Sequence, residues 1–118
     1  MEKLRITKKT WQERKAETSR MLIKYPERVC VRIERVHSET ILPDIKKQKY
    51  LVPHHINIGQ LNYIIRQQIK IDSKVAMFFF INKNIIPTNN SLIKDLYDKY
   101  ADDDGFLYIR YATENTFG

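Results

Sequence analysis

Residues 75–81, Val-Ala-Met-Phe-Phe-Phe-Ile, form an unbroken apolar run. Seven residues are too few for a buried helix, and three consecutive Phe favour extended chain. The run predicts a strand from Val75 to Ile81 that is covered on both faces. A chain of 118 residues has room for one domain with a real core, but not for two. The remaining elements must therefore supply the cover.

Arg28 to Val36 alternates, with Val29, Val31 and Ile33 on one side and Cys30, Arg32 and Glu34 on the other. That pattern predicts a half-buried strand. A second strand, Lys49 to Val52, stops at Pro53. Asn57 opens a helix with Gln60 in the capping-box position, and Ile58, Leu61, Ile64 and Ile65 form its buried stripe. Leu92, Ile93, Leu96, Tyr97 and Tyr100 make a short amphipathic helix. Asp102-Asp103-Asp104-Gly105 reads as a turn, and Phe106 to Tyr111 as the last strand. Ahead of the first strand, Thr10 and Glu13 form a capping box for a helix to about Lys24, which Pro26 prevents from continuing. Its apolar face is thin: Trp11, Thr18, Leu22 and Tyr25, with Met21 beside them. Such a helix packs lightly, as an appendage. Leu4 and Ile6 suffice for one more short helix over residues 3–9. The order is helix, helix, strand, strand, helix, strand, helix, strand. Without its first two helices it is that of a β-grasp, one mixed sheet around one helix, although other α+β folds share it.

Composition narrows the function. No run of about 18 apolar residues exists, so no spanning helix is expected, and the start lacks an apolar signal segment. A cytosolic or nuclear protein is expected. The single Cys30 excludes an internal disulfide, and its apolar setting suits a structural thiol better than a nucleophile. His37, His54 and His55 lack metal-site spacing, Asp102–Asp104 lack the alternation of a calcium loop, and three glycines leave little for a phosphate loop. No metal, no cofactor and no catalysis are expected. The net charge of +7 is uneven, +6 over residues 1–36 and −3 over residues 91–118. A basic front attracts acidic partners, phosphates or anionic lipid, or is simply solvated, and charge does not choose among these. Lys49–Val52 is short, flanked by lysines and ended by proline. Those are marks of a sheet edge, which either accepts an extended peptide or is protected against one.

Five segments carry a resemblance: Lys24-Tyr25-Pro26-Glu27-Arg28-Val29, Lys49-Tyr50-Leu51-Val52-Pro53, Ile58-Gly59-Gln60-Leu61, Asp103-Asp104-Gly105-Phe106-Leu107-Tyr108 and Glu114-Asn115-Thr116-Phe117-Gly118. Together they resemble the autophagy ubiquitin-like modifiers of the GABARAP and microtubule-associated light-chain-3 type, from about Trp11 to Gly118. The resemblance implies a ubiquitin-like β-grasp, a four-stranded mixed sheet around a helix with two extra N-terminal helices. Residues 1–26 would be the helical extension, 27–111 the core and 112–118 the tail. It implies a chain that is an enzyme's substrate rather than an enzyme. Gly118 would be taken up by activating and conjugating enzymes and joined covalently to phosphatidylethanolamine, a cysteine protease would process or release it, and the product would move from cytoplasm to the autophagosome membrane.

The resemblance further implies cargo receptors that add an aromatic-x-x-aliphatic motif to the sheet edge. The aromatic pocket then maps to Glu17, Met21, Cys30, Arg32, Lys49, Leu51 and Phe106. The aliphatic pocket maps to Tyr50, Val52, Pro53, Ile56, Leu61 and Ile64, and Arg28 and Lys47 meet acidic flanks. The family usually has proline in place of Cys30, an aliphatic residue in place of Arg32 and an arginine in place of Gln68. A guanidinium at residue 32 is expected to narrow the pocket or stack on an incoming Trp, shifting partner preference. An anionic membrane surface is a further partner, and nucleic acid is not expected. The competing reading is a basic module for RNA or microtubules; a family member serving a plastid-type organelle is a variant of the first.

Overall fold

Alternation at Arg28–Arg35 builds the central strand, β1, whose Val29, Val31 and Ile33 face the core. The computed structural model describes residues 9–82 and 84–113. The short helix expected over residues 3–9 and the tail from Glu114 to Gly118 lie essentially outside the described residues. In chain order the elements are α1 (Trp11–Lys24), β1 (Arg28–Arg35), β2 (Lys49–Pro53), α2 (Ile58–Ile69), β3 (Phe78–Ile81), α3 (Ile93–Tyr100) and β4 (Leu107–Ala112). The four strands form one sheet in the order β2-β1-β4-β3. The central pair β1–β4 is parallel, with Ile33 opposite Ile109, and both outer pairings are antiparallel. This is the ubiquitin-like arrangement, a mixed sheet with α2 on one face and α1 on the other.

Both capping boxes form. Thr10 Oγ1 accepts the Glu13 amide at 3.1 Å while Glu13 Oε1 accepts the Thr10 amide at 2.8 Å. Asn57 and Gln60 exchange bonds of 2.8 and 2.9 Å in the same way. Each box satisfies two donors that the first helical turn would otherwise leave unpaired.

Helix α2 buries Ile58, Leu61, Ile65 and Ile69 against the sheet. Ile64, expected in that stripe, is instead 40% exposed. The stripe follows a 3-4-4 spacing, and Ile64 falls about 60–100° off it, on the shoulder. The expected Val75–Ile81 strand shortens to Phe78–Ile81, because Val75 closes a turn onto the Asp72 carbonyl. Strand β3 is also an outer strand rather than a central one. Phe79, Phe80 and Ile81 are buried, but Phe78, opposite the last residue of β4, is exposed. Leu92 is likewise exposed, serving as the N-cap position of α3 rather than part of its buried face.

Helix α1 lies on the outer face through its middle turns alone. Trp11 and Tyr25, expected on its apolar face, sit at its two ends and are exposed, and Thr18 is its one buried residue. What holds it is polar. Asp104, 1% exposed, accepts Arg14 Nε at 2.9 Å, the Phe106 amide at 3.0 Å and the Tyr108 hydroxyl. The Thr18 hydroxyl donates to the Asp104 carbonyl at 2.7 Å. Burial pushes the Asp104 carboxyl up. The Tyr108 hydroxyl, the Phe106 amide and Arg14 more than offset it and hold the group below the usual carboxylate range. Gly105 follows at φ +90°, and a Cβ there would stand 2.2 Å from Thr18 Oγ1. Only glycine tolerates both the left-handed backbone and this approach.

Two expectations follow. Gly105→Ala should cost about 2–4 kcal/mol, from strain and overpacking together. Adding Thr18→Gly should restore more than about 1 kcal/mol of it, as non-additivity in a denaturant-unfolding double-mutant cycle. Because the native Asp104 pKa is lowered, its contribution is complete at neutral pH. It fades as pH falls through about 4 towards the native value. Asp104→Asn should cost about 2–3 kcal/mol at pH 7 and flatten the acid limb of the stability curve. Parallel wild-type and variant curves would contradict this.

Candidate functional site

Strand β2 is bonded on one side only, to β1. The Ile33 amide bonds the Gln48 carbonyl at 2.8 Å and the His54 amide bonds the Glu27 carbonyl at 3.0 Å. Bonded and non-bonded pairs alternate in an antiparallel ladder. Tyr50 and Val52 therefore bond inward to Val31 and Val29, while Lys49 and Leu51 turn their backbone N–H and C=O groups to the open edge. Arg28 Nη1 reaches the Leu51 carbonyl at 3.2 Å.

Beside this edge, α1 and the sheet enclose a cavity of about 380 Å³. Its lining brings together Glu17, Met21, Cys30, Lys49, Leu51 and Phe106, with Arg28 and Lys47 at the same opening. Glu17 is bracketed by Lys49 at 2.9 Å and Lys9 at 3.0 Å. Burial raises its carboxyl, and the two ammonium groups more than offset this and lower it. Burial, with Glu17 adding, pushes the Cys30 thiol up to about 11. At neutral pH it is protonated and serves as an apolar wall. Phe106 is 3% exposed, and its amide is bound by Asp104, so the node that docks α1 also fixes this wall.

Arg32 stands apart from that group. Its Nε bonds Glu34 Oε2 at 2.7 Å and its Nη2 bonds Gln48 Oε1 at 2.6 Å. It lines a neighbouring cavity of about 540 Å³ with Lys9, Arg14, Lys46 and Tyr108. Held by two acceptors, the guanidinium lines this cavity, which shares Glu17, Lys49 and Phe106 with the aromatic one. Tyr50, assigned by resemblance to the aliphatic set, lines the aromatic cavity too. Its hydroxyl donates to the Lys47 carbonyl at 2.8 Å, and Lys47 Nζ lies 4.8 Å from its ring centre.

The residues of the aliphatic set do not share one cavity. Val52 and Leu61 belong to the core, and Tyr50 and Ile56 are partly buried residues packed against that core. Pro53 is half-buried at the end of β2. Ile56 and Ile64 line a cavity of about 510 Å³ with Asn57, Gly59, Tyr63 and Asn89. Asn57, Gly59, Tyr63 and Asn89 lie outside the set assigned by resemblance, and of these Tyr63, 65% exposed, is the aromatic one. Its signal was an aromatic residue just outside the α2 stripe. Gln68 is exposed on the same helix. Among the described residues no group of three His, Cys, Asp or Glu converges as a metal site, and no helix is long and apolar enough to cross a membrane.

Known proteins share this arrangement along most of its length. The family described as autophagy protein Atg8, ubiquitin-like, matches residues 13–118. The chain is 46% identical over 108 residues to Autophagy-related protein 8 of Pichia angusta, covering 92% of this chain and 85% of that one. It is 46% identical over 105 residues to Autophagy-related protein 8b of Arabidopsis thaliana, covering 89% and 84%. The crystal structure of Trypanosoma brucei ATG8 superposes with a TM-score of 0.85 at 28% identity, covering 94% of each chain. With the β-grasp topology and the resemblance of its sequence segments, these matches establish that the chain belongs to the Atg8 family of autophagy ubiquitin-like proteins.

Proposed function

We propose that this chain is a modifier conjugated through Gly118 to phosphatidylethanolamine and that its β2 edge recruits cargo receptors. The observation that carries the recruitment half is the open edge itself. Lys49 and Leu51 direct backbone donors and acceptors outward next to a cavity walled by Met21, Cys30, Leu51 and Phe106. An extended motif adds there as a fifth strand, its aromatic residue entering the cavity. Arg28 and Lys47 at the opening favour acidic flanks. Lys49 and the other cations at this edge give specificity more than affinity. Arg32, already paired with Glu34 and Gln48, contributes to the neighbouring basic cavity instead.

Family membership supports the conjugation half. A carboxylate is a poor acyl donor. An activating enzyme would convert Gly118 to its adenylate using ATP, and a cysteine would take the acyl group as a thioester. The lipid amine would then displace that thiol, leaving an amide. A cysteine protease would release the product. Two acyl chains exceed the marginal binding of one, at about 0.8 kcal/mol per buried methylene. The chain then passes from the cytoplasm to the autophagosome membrane, where an anionic surface meets its net charge of +7. The alternative of a basic RNA- or microtubule-binding module draws less support. Lys9, Arg14 and Arg32 each pair with a carboxylate rather than forming a free basic stripe.

Mass spectrometry of the membrane fraction from starved cells tests the reading. Gly118 is expected to carry a phosphatidylethanolamine adduct that Gly118→Ala abolishes. An adduct that persists in the variant, or a membrane pool without one, contradicts it.

A further inference from the structure

Strands β1 and β4 run parallel and finish side by side, with Arg35 opposite Tyr111. The β1–β2 loop, residues 36–48, therefore begins where the C-terminal segment leaves the sheet. One buried carboxylate ties the two together. Glu39, 8% exposed, accepts the Ile41 and Leu42 amides through Oε2, both at 2.8 Å. Its Oε1 accepts the Thr113 amide at 2.8 Å and the Thr113 hydroxyl at 3.1 Å. The Tyr111 hydroxyl adds a bond to the Pro43 carbonyl at 2.6 Å, and Arg35 Nη1 one to the Leu42 carbonyl at 3.0 Å. Leu42 fills the core at 1% exposure, whereas Ile41 beside it is 70% exposed. Firm anchoring of the loop thus holds an aliphatic side chain out in water, and the carboxylate that binds its amide also binds the root of the tail.

We propose that the loop tip at Ile41 is a membrane contact, inserting into the headgroup layer of the bilayer that carries the lipid joined to Gly118. The inference rests on the conjugation reading. Gly118 is five residue steps beyond Thr113, a span of no more than about 18 Å fully extended. The bilayer is thus held within one short chain length of the Glu39 bonds. Lys46, exposed on the returning limb of the loop, offsets Asp44, so the loop carries no excess of negative charge to repel an anionic surface. A single isoleucine would not hold a soluble protein on a membrane. After covalent anchoring the surface is present at high effective concentration, and a weak contact is enough to set the orientation of the domain.

The chain has one tryptophan, so a full-length protein with Trp11→Phe and Ile41→Trp carries a single probe at the loop tip. With Cys30→Ala and Gly118→Cys it can be coupled to a maleimide-headgroup lipid in phosphatidylcholine–phosphatidylserine vesicles. Expected on coupling are a blue shift of emission and at least twofold quenching by a nitroxide in the upper acyl chain. Neither should occur with the uncoupled protein. A probe placed by Ile23→Trp, near the opposite end of β1, should remain unquenched. Adding Glu39→Gln, or Thr113→Val if that variant fails to fold, should reduce the quenching at the loop tip. Unshifted, unquenched emission on coupling would overturn the proposal. A blue shift without quenching would overturn it too, assigning the tip to a second copy of the chain. Because the coupling is chemical, a negative result leaves enzymatic conjugation at Gly118 untouched, and an unlipidated Gly118 in cells leaves this readout intact.

Discussion

A single buried carboxylate, that of Asp104, decides how the outer layer of this protein is held. Helix α1 has too little apolar surface to dock by burial alone, since only Thr18 is fully covered. Arg14, Thr18, Tyr108 and the Phe106 amide converge on Asp104 instead. An ion in a dry interface costs several kcal/mol of desolvation unless its acceptor sites are filled. Here they are filled from both the helix and the sheet, so the group is retained as a charge. The neighbouring glycine lets the Thr18 side chain come close enough for its bond to form. Phe106 belongs to both structures at once, bonded to Asp104 and walling the cavity beside β2.

The two outer strands of the sheet are treated differently. Strand β3 is followed by a tight turn in which Ile81 and Ile85 exchange backbone bonds, occupying part of its free side. Strand β2 keeps the Lys49 groups and the Leu51 amide open, while Arg28 Nη1 occupies the Leu51 carbonyl. An unpaired edge is an aggregation hazard that most sheets cover. Leaving it open next to a cavity with Met21, Cys30, Leu51 and Phe106 in its walls is consistent with a strand kept for pairing with a guest. The opposite end of β1 does something else. There Glu39 fastens the β1–β2 loop to Thr113, so the groove and the tail root belong to one rigid sheet.

Local patterns made much of this legible from sequence. The Val29/Val31/Ile33 alternation, the two capping boxes and the Asp-Gly turn each depend on neighbours within a few residues, and each formed as expected. The misreadings concern context. Approximate helical spacing assigns Ile64 and Leu92 to apolar faces, but exact helix phase and cap position expose them. Phe78 was expected to be covered because its run is apolar, yet an outer strand leaves its first residue bare. Trp11 and Tyr25 lie beyond the turns of α1 that touch the sheet. For the site, six of the seven residues that resemblance assigns to the aromatic pocket line one cavity. Arg32 instead bonds Glu34 and Gln48 and lines the adjoining cavity, pairings that no local pattern announces. The ties from Asp104 to Arg14 and from Glu39 to Thr113 leave no local pattern, because they span 90 and 74 residues of chain.

The central claim is that the outward backbone groups of β2 receive a guest strand. Amide hydrogen exchange resolved by residue, with and without a saturating aromatic-x-x-aliphatic peptide, tests it most directly. Lys49 and Leu51 should exchange fast in the free protein and slow at least tenfold on binding, while Tyr50 and Val52, already bonded to β1, should change little. A peptide that binds tightly yet leaves the Lys49 and Leu51 amides as exposed as before would contradict the account.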